Sequence, residues 1–249
     1  MKMQECSTTK MPLSKIVFGK TDAFNELNAF GQEYFVGSFV SNPRYHIDDF
    51  FSGSRYFICG KKGTGKSALL KFINYAKLSK KVYQLFAQLE YAHTPVYILI
   101  DELELSVRNK HQLDKDIALV RDLIIAIDDM NSICADKGMN IHVIAAVRSE
   151  VLRSVRSAGY ELTKPIEDRG IEINWFQRGG NYIENPLLEI IENKIHASER
   201  LYGYPISENV WESYFCGEIN DEETRKYILN NSLYRPRDVI RRCSISYTN

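Results

Sequence analysis

The chain has 249 residues, and its 32 Lys plus Arg are balanced by 32 Asp plus Glu, so no global positive field points to nucleic acid or to an anionic membrane. Hydrophobic residues at 44% and charged residues at 26% exclude a disordered or fibrous chain and predict a globular one, with one domain or a main domain and a small appendage. Its five cysteines, Cys6, Cys59, Cys134, Cys216 and Cys243, lack the short paired spacings of zinc sites and fit a reducing compartment, so a cytoplasmic location is expected. The opening MKMQECSTTKMPLSK has no apolar core of signal-peptide length, and no later run approaches the roughly 18 apolar residues of a membrane span. Neither secretion nor membrane insertion is expected.

Residues 1–22 read as a polar tail. From Ala23 to Phe39, Phe24, Leu27, Phe30, Tyr34 and Phe35 recur at three- and four-residue steps and predict a packing helix. Asn42-Pro43 breaks the chain before the short segment HIDDFFSG. Arg55–Cys59 (RYFIC) predicts a buried strand, and the glycine-rich loop after it leads into a helix with Leu69, Leu70, Ile73 and Ala76 at helical spacing. Val96–Ile100 (VYILI) predicts a second buried strand, ending on Asp101-Glu102. A long amphipathic helix follows between Gln112 and Lys137, carrying Leu113, Ile117, Val120, Ile124, Ile127 and Ile133, with Gly138 as its stop. Ile141–Val147 is the third expected strand and Ile171–Trp175 the fourth.

This alternation predicts an α/β fold with a parallel sheet flanked by helices. From Asn185 the pattern changes to helices with polar spacing. The expected organisation is therefore a tail over 1–22, a core over 23–180 and a helical C-terminal region over 181–249, divided near Arg178-Gly179-Gly180-Asn181. No internal repeat or low-complexity tract marks a linker.

The loop from Gly60 to Ser67, GKKGTGKS, has the spacing of a phosphate-binding loop between a strand and a helix. Residues Gly60, Lys61, Lys62, Gly63, Thr64, Gly65, Lys66, Ser67 and Ala68 are the expected nucleotide-binding set. Backbone N–H groups must wrap an anion there, which needs angles that a β-carbon penalises. Lys66 would place its ammonium on the outer phosphates and Ser67 its hydroxyl on magnesium, while the following helix N-terminus adds favourable partial charge. The side chains of Lys61 and Lys62 read as surface charge.

The carboxyl ends of parallel strands are where ligands sit in such sheets. There, Asp101 is the expected second metal ligand and Glu102 the residue that orients and deprotonates the attacking water. Glu104 has no assignable role. Arg148 follows the third strand, placed to stabilise a terminal phosphate or, alternatively, to pair with a surface acid such as Glu150. Near the end, YRPRDVIRR sets Arg235 and Arg237 around Pro236, a proline that suits a helix start.

In this order, GKKGTGKS, VYILIDE, VIAAVRSE and YRPRD resemble the P-loop ATPases of the AAA+ and STAND group, particularly bacterial ATPases associated with antiphage defence and mobile elements. The resemblance runs from about Arg55 to the C-terminus. It implies a P-loop NTPase fold of the ASCE type with a helical C-terminal lid, and ATP and Mg2+ as cofactors. Lys66 and Ser67 would then belong to Walker A and Asp101 and Glu102 to Walker B. Arg148 would be the first sensor, and Arg237, or else Arg235, the second. The segment between Ser67 and Val96 has little room for the group's intervening strand, of which Val82–Phe86 stands as a remnant.

The resemblance implies an ATP-hydrolysing switch in a multicomponent bacterial defence system, acting as a homo-oligomer or on a separate effector protein. An arginine donated in trans, from among Arg153, Arg156, Arg169 and Arg178, is compatible with it. Two other readings stay open: a nucleotide-dependent DNA- or RNA-binding module using the basic cluster Arg235–Arg242, and an ATP-stabilised oligomeric scaffold with little turnover.

Overall fold

A computed structural model describes residues 10–20, 22–40, 42, 45–74, 95–103, 105, 110–159, 163–176 and 181–246. The chain divides into two compact units, one of residues 41–174 and one that joins the residues up to Val40 with those from Trp175 onward. The first helix, α1 (Ala23–Gly37), belongs to the second of these.

The unit of residues 41–174 is built on four parallel strands. Helix α2 (Ile47–Ser52) ends at Gly53, whose φ of +77° caps it in the left-handed region. Then come β1 (Phe57–Gly60), α3 (66–74), β2 (Val96–Leu103), α4 (Lys110–Asp136), β3 (Ile141–Arg148), α5 (Ser149–Ser157), α6 (Thr163–Arg169) and β4 (Gly170–Glu172). The strand order is β2-β3-β1-β4, with Val96 opposite Ile141, Gly60 opposite Arg148 and Ile58 opposite Ile171. Phe57 and Ile58 are wholly buried in the centre of the sheet. A strand covered on both faces reads as a continuous apolar run rather than an alternating one, which is why RYFIC was legible.

All four expected strands are present, with shifted ends. β1 starts two residues later than expected and reaches Gly60, while β2 runs three residues further, to Leu103. Its register against β3 shifts between Ile100 and Leu103, so Asp101 and Glu102 sit inside the end of the strand rather than after it. The segment Val82–Phe86 lies outside the described residues, as do Ala76 and Glu104.

Helix α4 turns Ile117, Val120, Ile124, Ile127 and Cys134 into the core. Ile133, expected on this face, is exposed. Seven residues are almost two helical turns, so Cys134 continues the row of Val120 and Ile127, whereas Ile133 falls about 100° to one side. Asn131 ties α4 to the sheet: its Oδ1 accepts from Val143 N at 2.9 Å and its Nδ2 donates to Val143 O at 2.9 Å. β1 pairs with β3 only from Ala145 onward, so the Asn131 amide satisfies backbone groups that no strand reaches on that side.

The helical unit contains α1, α7 (Pro186–Leu201), α8 (Val210–Tyr214), α9 (Thr224–Asn230), α10 (Pro236–Ser246) and a hairpin of β5 (Glu218–Ile219) and β6 (Glu222–Glu223). Asp22 caps α1 by accepting from Phe24 N and Asn25 N, and Asn185 caps α7, which begins with Pro186. A buried ion pair joins the two helices, with Lys194 Nζ donating to Glu26 Oε1 at 2.6 Å. The second carboxylate oxygen of Glu26 accepts from Lys20 N at 2.9 Å. Nearby, Val17 N donates to Ser198 Oγ at 2.9 Å and Tyr34 OH donates to Val17 O at 2.5 Å.

These bonds correct the expected organisation. The helix beginning at Ala23 and the described residues before it belong with the C-terminal helices, and the division falls at Asn174/Trp175 rather than near residue 180. Residues 177–180 lie outside the described residues. Among the described residues, no helix is long and apolar enough to cross a membrane.

Candidate functional site

The carboxyl end of β1 passes directly into the glycine-rich loop, and α3 starts at Lys66. Gly63 and Gly65 have φ values of +86° and +92°, backbone conformations that a β-carbon penalises and that a loop wrapping an anion requires. Gly60 is a glycine for a different reason. It lies outside the left-handed region, but a β-carbon on it would stand 2.7 Å from Thr64 Oγ1 and 3.3 Å from the carbonyl oxygen of Ile173. Close packing of the loop against β4's continuation therefore dictates that position.

Thr64 is buried and its hydroxyl donates to Lys61 O at 2.9 Å, closing the turn. Its role is to hold the loop's shape. Lys61 and Lys62 are exposed, as expected, and Ser67 and Ala68 are half-buried in the first turn of α3.

Lys66 is buried, with Nζ donating to Gly60 O at 2.9 Å and Lys61 O at 3.0 Å. An ammonium has three donors, so the loop carbonyls aim it while one donor is left for a further acceptor. Burial lowers the Lys66 pKa, and the Arg148 guanidinium lowers it further, whereas the charges of Asp101 and Glu150 oppose the shift. These four groups thus form one electrostatic cluster at the carboxyl ends of β1, β2 and β3.

The strand order accounts for the cluster. β3 lies between β1 and β2, so Arg148, opposite Gly60, stands between the loop and the acid-bearing end of β2. Asp101 is exposed there. Glu102 follows within β2.

Glu150, in the first turn of α5, enters through its charge on Lys66, a part beyond the expected surface pairing with Arg148. The signal lay in its position, two residues beyond a strand end that faces the loop. Cys59, one residue before the loop, has its thiol pushed up to about 12, chiefly by burial and then by the Glu172 carboxylate. It is an inert core residue.

Arg237 lies in the first turn of α10, in the helical unit. Arg235 pairs with Asp238 at 2.5 Å, across the start of that helix, a local ion pair. Arg156 faces Glu167 at 3.7 Å, Arg169 donates to Ser54 O at 3.5 Å and Arg153 to Ser149 O at 3.5 Å. Arg178 lies outside the described residues. Among the described residues, no group of three or more His, Cys, Asp or Glu is placed to hold a metal ion by itself.

Residues 185–249 match the family model of the FunZ-associated C-terminal helical domain. The match begins on Asn185, the cap of α7. It covers most of the C-terminal part of the helical unit and none of the sheet. No curated protein and no solved structure matches the chain.

Proposed function

We propose that the chain is a P-loop ATPase of the AAA+ and STAND group, which binds ATP with magnesium in the Gly60–Ser67 loop, hydrolyses it and acts as a nucleotide-dependent switch. The observation that carries this reading is the convergence of Lys66, Asp101 and Arg148 at one end of a parallel sheet, around a loop whose Gly63 and Gly65 are left-handed. The residue types fit a polyphosphate: a glycine-shaped loop and an aimed ammonium suit phosphate oxygens, and the hydroxyl of Ser67 and the carboxylate of Asp101 are the ligand types a hard cation takes. Magnesium, when bound, neutralises charge on the outer phosphates.

In this reading Lys66 binds the outer phosphates, Ser67 and Asp101 hold the metal, and Glu102 accepts the proton of the attacking water. Arg148 counters charge at the terminal phosphate, and the resemblance gives Arg237 the part of a second sensor. The match of residues 185–249 to a C-terminal helical domain supports treating that part as a module that reports nucleotide state to a partner effector, within a bacterial antiphage defence complex and in the cytoplasm.

The test is ATP binding and turnover by the full chain beside Lys66→Ala and Glu102→Gln. Lys66→Ala should lose binding, and Glu102→Gln should bind ATP without turning it over. Absence of binding in the parent would overturn the whole reading. Binding without turnover would overturn the enzymatic part and leave an ATP-stabilised scaffold.

A further inference from the structure

Helix α4 has a second apolar face. Leu119, Leu123, Ala126, Met130 and Ile133 follow one another at steps of four, three, four and three, the spacing of a coiled-coil seam. Leu119 is 67% exposed, Met130 42% and Ile133 51%, and Ala126 is exposed as well. The sheet does not need this row, since Ile117, Val120, Ile124, Ile127 and Cys134 already fill the side turned to the core.

The two edges of the seam differ. One is Val120, Ile127 and Cys134, each directly after a seam residue and buried within the unit. The other is Asp122, Asp129 and Asp136, again seven residues apart and all exposed. Asp122 is partly neutralised by Arg121 at 2.5 Å; Asp129 and Asp136 make no ion pair among the described residues. A helix laid on this seam can approach only along the acidic edge.

We propose that the α4 seam is a docking site for an amphipathic helix of a partner protein, apolar along its own three-four seam and lysine- or arginine-rich along the edge that meets Asp129 and Asp136. Charge decides against a second copy of α4: side by side and antiparallel, two such helices bring their aspartate rows together. A seam of two heptads with one small residue, Ala126, at its middle accepts one partner helix at close range. The inference is independent of the nucleotide reading, because it uses no residue of the loop or of the strand ends.

The probe is a blocked peptide of about three heptads with Leu at the seam and Lys at both flanking positions, beside a control with Glu at those positions. With the full chain, fluorescence anisotropy should show the lysine peptide binding at least about tenfold more tightly than the glutamate peptide, with the advantage shrinking in salt. Met130→Lys should abolish binding, and Asp129→Lys with Asp136→Lys should reverse the preference. Both changes are on exposed positions, and thermal melts establish that the variants fold. Equal binding of the two peptides, no binding of either, or a preference unmoved by the charge reversal would overturn the proposal. So would a dimer of the chain that Met130→Lys dissociates, which would assign the seam to a second copy.

Discussion

Gly60 and Arg148 are register partners at the carboxyl ends of β1 and β3, so one pair of adjacent strands fixes both the start of the loop and the guanidinium beside it. Lys66, six residues on, is held to the Gly60 carbonyl. Ladder hydrogen bonds and the loop's own turn, rather than long flexible side chains, therefore set the geometry of this cluster.

A pH dependence follows from Lys66. Burial and Arg148 lower its pKa. Between that folded value and the ordinary lysine value the unfolded chain holds more protons, so this residue makes stability rise with pH across that window. An anion in the loop favours the charged ammonium, so ATP binding should take up a proton there. Calorimetric titration at a series of pH values below the ordinary lysine range, in buffers of different ionisation enthalpy, measures it. Uptake is expected in the parent, less of it in Arg148→Ala, and none in Lys66→Arg, whose guanidinium stays charged throughout.

The loop glycines should fail for separable reasons. Gly65→Ala meets open space but must hold φ near +92°, a backbone cost of about 1–2 kcal/mol. Gly60→Ala instead drives a methyl group against Thr64 Oγ1. Adding Thr64→Ala should restore part of the stability lost in Gly60→Ala and none of that lost in Gly65→Ala. Urea unfolding of the four variants is the measurement, and equal rescue of both would contradict the packing account of Gly60.

The Lys194–Glu26 pair predicts a double-mutant cycle. Removing one partner leaves a buried charge, so Lys194→Met should cost the helical unit about 3–5 kcal/mol. Glu26→Gln keeps an acceptor for Lys20 N and removes the charge. The double variant is expected to be more stable than Lys194→Met alone, read by denaturant midpoint. Simple addition of the two losses would show that the pair is not coupled.

Local patterns made the sheet readable and hid the division of the chain. RYFIC and IHVIAAV are buried over most of their length, and a continuous apolar run needs no knowledge of its partners to be recognised. VYILI forms its strand too, but at the end of the strand order, where Val96 and Ile98 are exposed rather than buried. The glycine-rich loop was likewise legible, although Gly60 owes its identity to the Ile173 carbonyl and Thr64, which only the fold brings near. What α1 packs against is not written within α1. Its apolar face is the same whether it meets the sheet or α7, and the deciding contact, Glu26 to Lys194, spans 168 residues. The second seam of α4 was concealed because Ile133 fits a loose helical period as well as Cys134 does.

The same contact predicts what can be removed. Tyr45 OH donates to Asn174 O at 3.3 Å, so the two ends of the sheet unit lie side by side. Replacing residues 41–174 with a short Gly-Ser linker should leave a helical protein with a cooperative melt by circular dichroism. Residues 185–249 alone should lack one, because Lys194 then loses Glu26 and the backbone acceptor and donor at Val17 that Ser198 uses. Equal cooperativity of the two fragments would refute the part given to α1.

The discontinuous helical unit also sets an order of events on the ribosome. At about 5–20 residues per second, Glu26 emerges roughly 10–30 s before Lys194, and all of residues 41–174 are made in between. The sheet unit can fold while α1 is still without its partner, so α1 waits through the synthesis of a whole unit before it finds its place.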